Sequence, residues 1–382
     1  MPQTTKLFRI FGIQIQIHYS WWFIFGLLTW SLSSAFFPSF FPDYDVKTYW
    51  FMGAVSSLLL FVSVLFHELS HSLVARLRKI KVESITLFFF GGVAGITTED
   101  IKPMSEFLMA VSGPLFSLVL SGIFYSIYLS NFNGVSTAIT FYLAQINLIL
   151  ALFNLVPGFP LDGGRAFRAI LYAYYKDLRK ATRIASTGGK IFGAFFIILG
   201  LVSLFSGAGT GLWFVLIGGF LYFIAGVSYN QVVIKQVLEK ISVKDLMAKN
   251  FPLVDPEMKL SDFIKQYQNS GREVFLVKND KFMGVFDLKN LSSVISNKLK
   301  LKQVVSKFDV KNSLRLQDNA YTAFKELLEK KVDLLPVMKD KEFAGVISHP
   351  VVMNRLMWEL RFNEGRVEGR VKKLSRKLYN RR

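Results

Sequence analysis

His67, Glu68 and His71 stand together in the motif HELSH, inside a run (50–75) whose remaining polar residues are mostly serines. On a helix, residues four apart share one face, so the two imidazoles can converge on one metal ion. Glu68, beside the first of them, is placed to take a proton from a water at that ion. Ionisable groups in mid-bilayer cost roughly 2.5–3.5 kcal/mol each on insertion scales, so such a cluster marks function. The bland reading is a helix that turns polar residues toward a bundle interior. With no cysteine in the chain, zinc would be held by His and carboxylate alone, and a catalytic zinc needs a third protein ligand. The best candidate is Asp162, in NLVPGFPLDGGR (154–165). Pro and Gly break the helix there and let Asp162 turn back toward the bundle. The competing reading makes Asp162 the cap of a basic helix that follows it. His18, at the start of the first span, reads better as an interfacial residue, and His349 as structural.

The elements that must position these groups follow from the hydropathy pattern. The chain has 382 residues, 52% of them hydrophobic, with a mean hydropathy of +0.36, too apolar for a wholly soluble protein. Six spans are read at 19–37, 50–76, 104–130, 136–156, 191–205 and 211–229, each near the length that crosses a bilayer. Lys and Arg gather in the segments before the first span, after the second, and between the fourth and fifth. The opposite loops (38–49, 131–135, 206–210) hold a single lysine, Lys47. Both termini are therefore expected on the cytoplasmic side of the cell membrane, with His67 and His71 in the cytoplasmic half of their span. The start of the chain is amphipathic and basic, without a small-residue cleavage site, so no cleaved leader is expected.

The net charge of +19 raises the question of nucleic acid, and its distribution argues against a specific one. Much of the excess flanks the spans. Nine basic residues lie in 361–382 against Glu364 and Glu368, a tail suited to anionic lipid headgroups.

Between the second and third spans, VESITLFFFGGVAGITTED (82–100) reads as a hairpin turning at Gly91-Gly92. It either dips into the membrane, where such backbone must be buried in protein or line a cavity, or lies on the lipid surface. Beyond residue 235 the chain becomes a Lys-rich α/β protein with an internal repeat, 243–291 and 301–356. Each copy has an extended stretch, an amphipathic helix and two strands split by a charged turn (279–281 and 339–341), with Gly284 and Gly345 before the last strand. Two such units can bury their apolar sheet faces on one another. The expected fold class is thus a polytopic α-helical membrane protein with a small membrane-associated β-hairpin and a C-terminal α/β soluble domain. The boundaries fall at 1–235, 236–358 and a basic tail, 359–382.

HELSH in one span and NLVPGFPLDGGR after a later one resemble the two signature motifs of the site-2 protease family of intramembrane zinc metalloproteases. The Ser112-Gly113-Pro114 step, the glycine-turn hairpin and IQIHYSWW ahead of the first span fit the same family. The resemblance covers roughly 10–235. It implies one Zn2+ per chain on His67, His71 and Asp162, Glu68 as general base, and Asn154 at the scissile peptide or its oxyanion. It also implies that the hairpin around Gly91 and Gly92 offers an edge strand to an unwound transmembrane substrate, a role with a physical basis, because pairing holds the segment extended. The repeats resemble a tandem pair of cystathionine-β-synthase (CBS) domains, which implies an adenine nucleotide and a homodimer through the pair. The matching positions are Asp287 and Asn290 in the first copy and Ser348 in the second. Neither copy has the family's ribose-binding Asp, so nucleotide binding is expected to be weak. The rival reading is a CBS-regulated metal or ion transporter using the same His/Asp cluster. Transporters usually carry related repeats in their membrane half, and none is found here.

Overall fold

The computed structural model describes residues 4–89, 91–96, 101–130, 134–206, 211–249, 251–270, 274–279, 283–288, 299–307, 313–339 and 342–363. The chain divides into two compact units, Met1–Asn230 and Gln231–Arg382.

The first unit opens with strands β1 (Thr4–Ile10) and β2 (Ile13–His18). Helices α1 (Ser20–Phe40) and α2 (Val46–Leu77) follow. Next come β3 (Val82–Phe88) and β4 (Gly91–Ile96), then α3 (Pro103–Leu129) and α4 (Gly134–Asn154). An amphipathic helix, α5 (Asp162–Tyr175), precedes the long helices α6 (Leu178–Phe205) and α7 (Gly211–Leu238). Six of these helices (α1, α2, α3, α4, α6 and α7) are long and apolar enough to cross a membrane. The six expected spans are all present. The fifth is longer than its apolar run, because Asp177 caps it by accepting from the Lys180 amide at 3.0 Å. Arg179, Lys180, Arg183 and Lys190, expected in a loop, therefore ride on its first turns.

The expected hairpin β3–β4 exists, with Leu87 opposite Gly92 and Phe88 opposite Gly91. It is half of a larger sheet, ordered β1-β2-β3-β4. The basic, amphipathic start of the chain supplies the other half. β1 and β2 are antiparallel, and β2 runs parallel to β3 with Ile15 opposite Ile85. The alternation Ile13-Gln14-Ile15-Gln16-Ile17 puts Ile13 and Ile15 on one face. Both are fully buried, clustering with Ile85, Leu69, Ala75 and Met109.

Where α2, α3 and α4 meet, small and polar contacts accompany a cluster of Met52, Ile139, Tyr142 and Leu143. Ser121 Oγ donates to the Ala144 carbonyl at 2.8 Å, and the fully buried Asn147 donates to Ser63 Oγ at 3.3 Å.

The second unit carries the repeat. Its first copy comprises α8 (Val243–Leu246), β5 (Leu253–Val254), α9 (Leu260–Tyr267), β6 (Val274–Lys278) and β7 (Met283–Asp287). The second comprises α10 (Leu301–Val304), β8 (Ser306–Lys307), β9 (Leu314–Arg315), α11 (Ala320–Lys330), β10 (Leu334–Lys339), β11 (Glu342–Ser348) and α12 (His349–Trp358). In each copy a short strand pairs in parallel with the first long strand, which pairs antiparallel with the last. The opening segment of each copy crosses to the other. Ser306 and Lys307 pair with Val285 and Gly284, and Ala248 bridges to Val346. The two sheets bury a shared core of Leu276, Val285, Leu334, Met338 and Val346. Most of both charged turns, the side chain of Asp287, all of Asn290 and the basic tail from 364 lie outside the described residues.

Within the first copy, Phe275 is fully buried and meets Phe263 edge-on at 4.8 Å between ring centroids. Replacing it with Ala should destabilise this unit by about 3–5 kcal/mol. Thermal unfolding of the purified chain checks it, and an unchanged melting curve would contradict the packing described.

Candidate metal centre

Helix α2 presents His67 and His71 one turn apart, buried, with ring centroids 4.8 Å apart. Their Nε2 atoms point to the same atom, Asp162 Oδ2, each at 3.1 Å. The three ligating atoms all lie within 4.8 Å of one another, and this is the group of three that could hold a metal ion among the described residues.

Asp162 reaches this point because α4 ends at Asn154 and Pro157 cannot continue it. The chain then folds through short turns, with the Gly158 amide donating to Val156 and Leu161 to Gly158. The Phe159 amide donates to the Ala185 carbonyl, tying this loop to α6. Leu161 is the cap of α5 and Asp162 its first helical residue. The capping reading of Asp162 therefore does not describe its side chain, which faces the histidines. A carboxylate at a helix N-terminus is favoured there by the helix dipole.

Helix α3 holds both imidazoles from behind. His71 Nδ1 lies 2.6 Å from the Met109 carbonyl, and a carbonyl can only accept, so Nδ1 donates there; in a neutral imidazole that leaves Nε2 as the nitrogen able to ligate a metal. His67 Nδ1 lies 2.8 Å from Ser117 Oγ, and the same tautomer lets it donate there. Between these two contacts sits Gly113. A Cβ at that position would lie 2.2 Å from His71 Nε2 and 2.8 Å from His67 Nε2, so any side chain would displace the rings.

Strand β4 closes another side. A Cβ on Gly92 would lie 2.4 Å from Glu68 Cγ, so the backbone of β4 rests directly on the Glu68 side chain. Among the described residues β4 pairs with β3 alone, which leaves its other edge open.

The remaining sequence candidates fall as follows. Asn154 is the last residue of α4, and its carboxamide donates back to the Leu150 carbonyl at 3.0 Å. His18 Nδ1 pairs with Ser20 Oγ at 2.8 Å, away from any group of three ligating side chains. His349 stacks on Phe324. Ser348 ends β11, half-buried. Sequence reasoning missed Met109, whose part is played by its backbone and leaves no trace in the residue type. It also missed Ser117, although a hydroxyl four residues after Gly113 in an apolar helix was a legible signal.

The profile of peptidase family M50 matches residues 55–141 and 130–200, and that of the CBS domain matches 243–297. The candidate zinc metalloprotease sll0528 of Synechocystis is 36% identical over 280 residues, covering 70% of this chain and 70% of that protein. Zinc metalloprotease MJ0392 of Methanocaldococcus jannaschii is 33% identical over 337 residues, covering 85% of this chain and 91% of that one. A solved structure of a site-2 protease from the same archaeon matches at 32% identity with a TM-score of 0.43, covering 59% of this chain and 95% of that one. The chain belongs to peptidase family M50, the site-2 protease family of zinc metalloproteases, and carries a C-terminal CBS domain.

The donor set fits zinc, with one carboxylate and two imidazoles whose Nδ1 atoms are engaged by α3 and whose Nε2 atoms converge. Gly113→Ala should therefore lower zinc affinity by about tenfold or more, on the scale of lost support for metal-binding histidines. Competition against a chromophoric chelator measures it, and native affinity in that variant would mean the rings have slack the geometry denies.

Proposed function

We propose that this protein cuts a transmembrane segment of another membrane protein, at a zinc centre built by His67, His71 and Asp162 and under the influence of its cytoplasmic CBS pair. What carries this reading is the convergence of both Nε2 atoms on Asp162 Oδ2 beside a strand that touches Glu68 and whose other edge has no strand partner among the described residues. Bound there, zinc supplies Lewis acidity, polarising the scissile carbonyl and making water a better nucleophile. Glu68 takes the proton from that water and later hands it to the leaving amine. Met109 and Ser117 fix the orientation of the imidazoles. Asn154, whose carboxamide donates to the Leu150 carbonyl, is assigned to the scissile peptide or its oxyanion.

A helical substrate hides its peptide groups, so the reading needs a means of holding it extended. The free edge of β4 fits that task, with Gly91 and Gly92 leaving room for the guest backbone. The distribution of Lys and Arg supports a cell-membrane location with both termini cytoplasmic. We place the functional boundaries at 1–235 for the protease, 236–358 for the CBS pair and 359–382 for a tail drawn to anionic lipid. The pair is assigned a weak adenine nucleotide site at Asp287, Asn290 and Ser348, and a role in dimer formation. A ligand there modulates cleavage only through different affinities for two arrangements of the protein.

Glu68→Gln should abolish cleavage of a membrane-spanning substrate while zinc stays near one per chain, since the base is lost and no ligand is touched. Metal analysis beside a cleavage assay on reconstituted protein decides it; substantial hydrolysis at full occupancy would remove Glu68 from the mechanism.

Proline in β4 probes the substrate edge separately. It removes a donor without adding charge, so at least one position in 91–96 should lose most cleavage with zinc retained. If every proline variant across that strand cut normally, β4 would be a connection and no more.

A further inference from the structure

Glu106 is 2% exposed, near the start of a helix that crosses an apolar bundle, and no step of the chemistry above uses it. Arg168 of α5 grips it, with Nε donating to Glu106 Oε1 at 3.0 Å and Nη2 donating to the same oxygen. The guanidinium also lies over the Phe159 ring, 4.8 Å from its centroid, in the loop that leads to Asp162. Both partners belong to the elements that build the metal centre. Glu106 precedes Met109, Gly113 and Ser117 on α3, and Arg168 follows Asp162 on α5.

The spacing relates the two contacts. Glu106 and Gly113 are about 10 Å apart along α3, and Asp162 and Arg168 about 9 Å apart along α5, at the helical rise per residue. Helices α3 and α5 therefore run antiparallel and meet at two stations of matching separation. At one station Asp162 faces the histidines that rest on Gly113. At the other, Arg168 holds Glu106. A slip of α5 along α3 would carry Asp162 away from both imidazoles, and ligand geometry tolerates only about 0.5 Å of error.

We infer that Glu106 and Arg168 are positioning residues, a partly buried ion pair that sets the register of α5 on α3 and so holds Asp162 at the metal. This rests on the assignment of Asp162 as a zinc ligand. A buried ion pair adds little net stability over a well-packed apolar pair, and removing both charges together is commonly neutral or stabilising. Two charge-assisted donors converging on one carboxylate oxygen make a directional contact that defines one helix register, which an apolar contact of similar size leaves free to slide.

The test uses the full-length protein in detergent, with chelator competition for zinc affinity, the visible spectrum of the Co2+-substituted protein, and a thermal melt. The double variant Glu106→Leu with Arg168→Met should keep a native-like melting curve, lose zinc affinity by about 10–100-fold, and show an altered Co2+ spectrum. Glu106→Gln, which keeps the shape and loses the charge, should shift affinity and spectrum in the same direction. Native affinity and spectrum in a folded variant of either kind would overturn the positioning role. Should the double variant fail to fold, Glu106→Gln alone decides by the same readouts. Asp162→Ala separates the two layers. If it releases zinc and the pair variants do not, the pair is not a positioning device; if it keeps zinc, the ligand assignment itself falls.

Discussion

Two imidazoles and a carboxylate have to meet inside a bundle whose solvent is lipid, and the rest of this unit is arranged around holding them there. None of the three can be left to find its own orientation, because an unpaired polar group at that depth costs several kcal/mol. The solution is one helix used as a ruler. Along α3, Met109 orients one imidazole through its carbonyl, Gly113 lets the rings approach, and Ser117 meets the other imidazole. Each contact removes a degree of freedom that metal binding would otherwise have to freeze.

That dependence explains which parts of the centre were legible in the sequence. HELSH stood out because ionisable residues are rare in an apolar span, and Asp162 because Pro and Gly mark a helix break beside it. The contacts made by α3 were not legible in the same way. A backbone carbonyl such as that of Met109 has no signature, and Gly113 is one of 27 glycines in the chain, so residue type alone could not single it out. Glu106 carried a weaker signal than Glu68, since it stands at the edge of its apolar run and not inside it, and it lacked a neighbouring motif to give it a chemical meaning.

The N-terminal strands teach a different lesson. Residues 13–17 alternate strictly between Ile and Gln, a strand pattern in plain view. Their partner is β3, joined by the parallel register Gln14 to Ser84 through Leu87 with Ile17. Such pairing spans two membrane helices, and no local periodicity announces it. The hairpin β3–β4 was readable because its turn is local. The repeat in the second unit shows the same limit. Each copy was visible as a unit, whereas the crossing of Ser306 to Val285 and of Ala248 to Val346 links residues distant in sequence.

The edge of β4 that has no strand partner among the described residues can be weighed on similar grounds. Unpaired strand edges invite unwanted pairing, and proteins usually blunt them with charge, proline or a cover. The strand Gly91-Gly92-Val93-Ala94-Gly95-Ile96 has neither charge nor proline. Glycine also makes it a poor strand in its own right, since it brings no side chain to pack. Its order therefore comes from β3 on one side, and at Gly92 from close contact with Glu68 beneath it. A strand of this composition is costly to keep as mere connection and well suited to accept another backbone. On the proposed reading the contact at Gly92 does two jobs at once. It sets the height of the guest peptide above α2, and it confines the carboxylate that must meet the water attacking that peptide. Any side chain on that residue would disturb both, which ties substrate binding and proton transfer to one point of backbone contact.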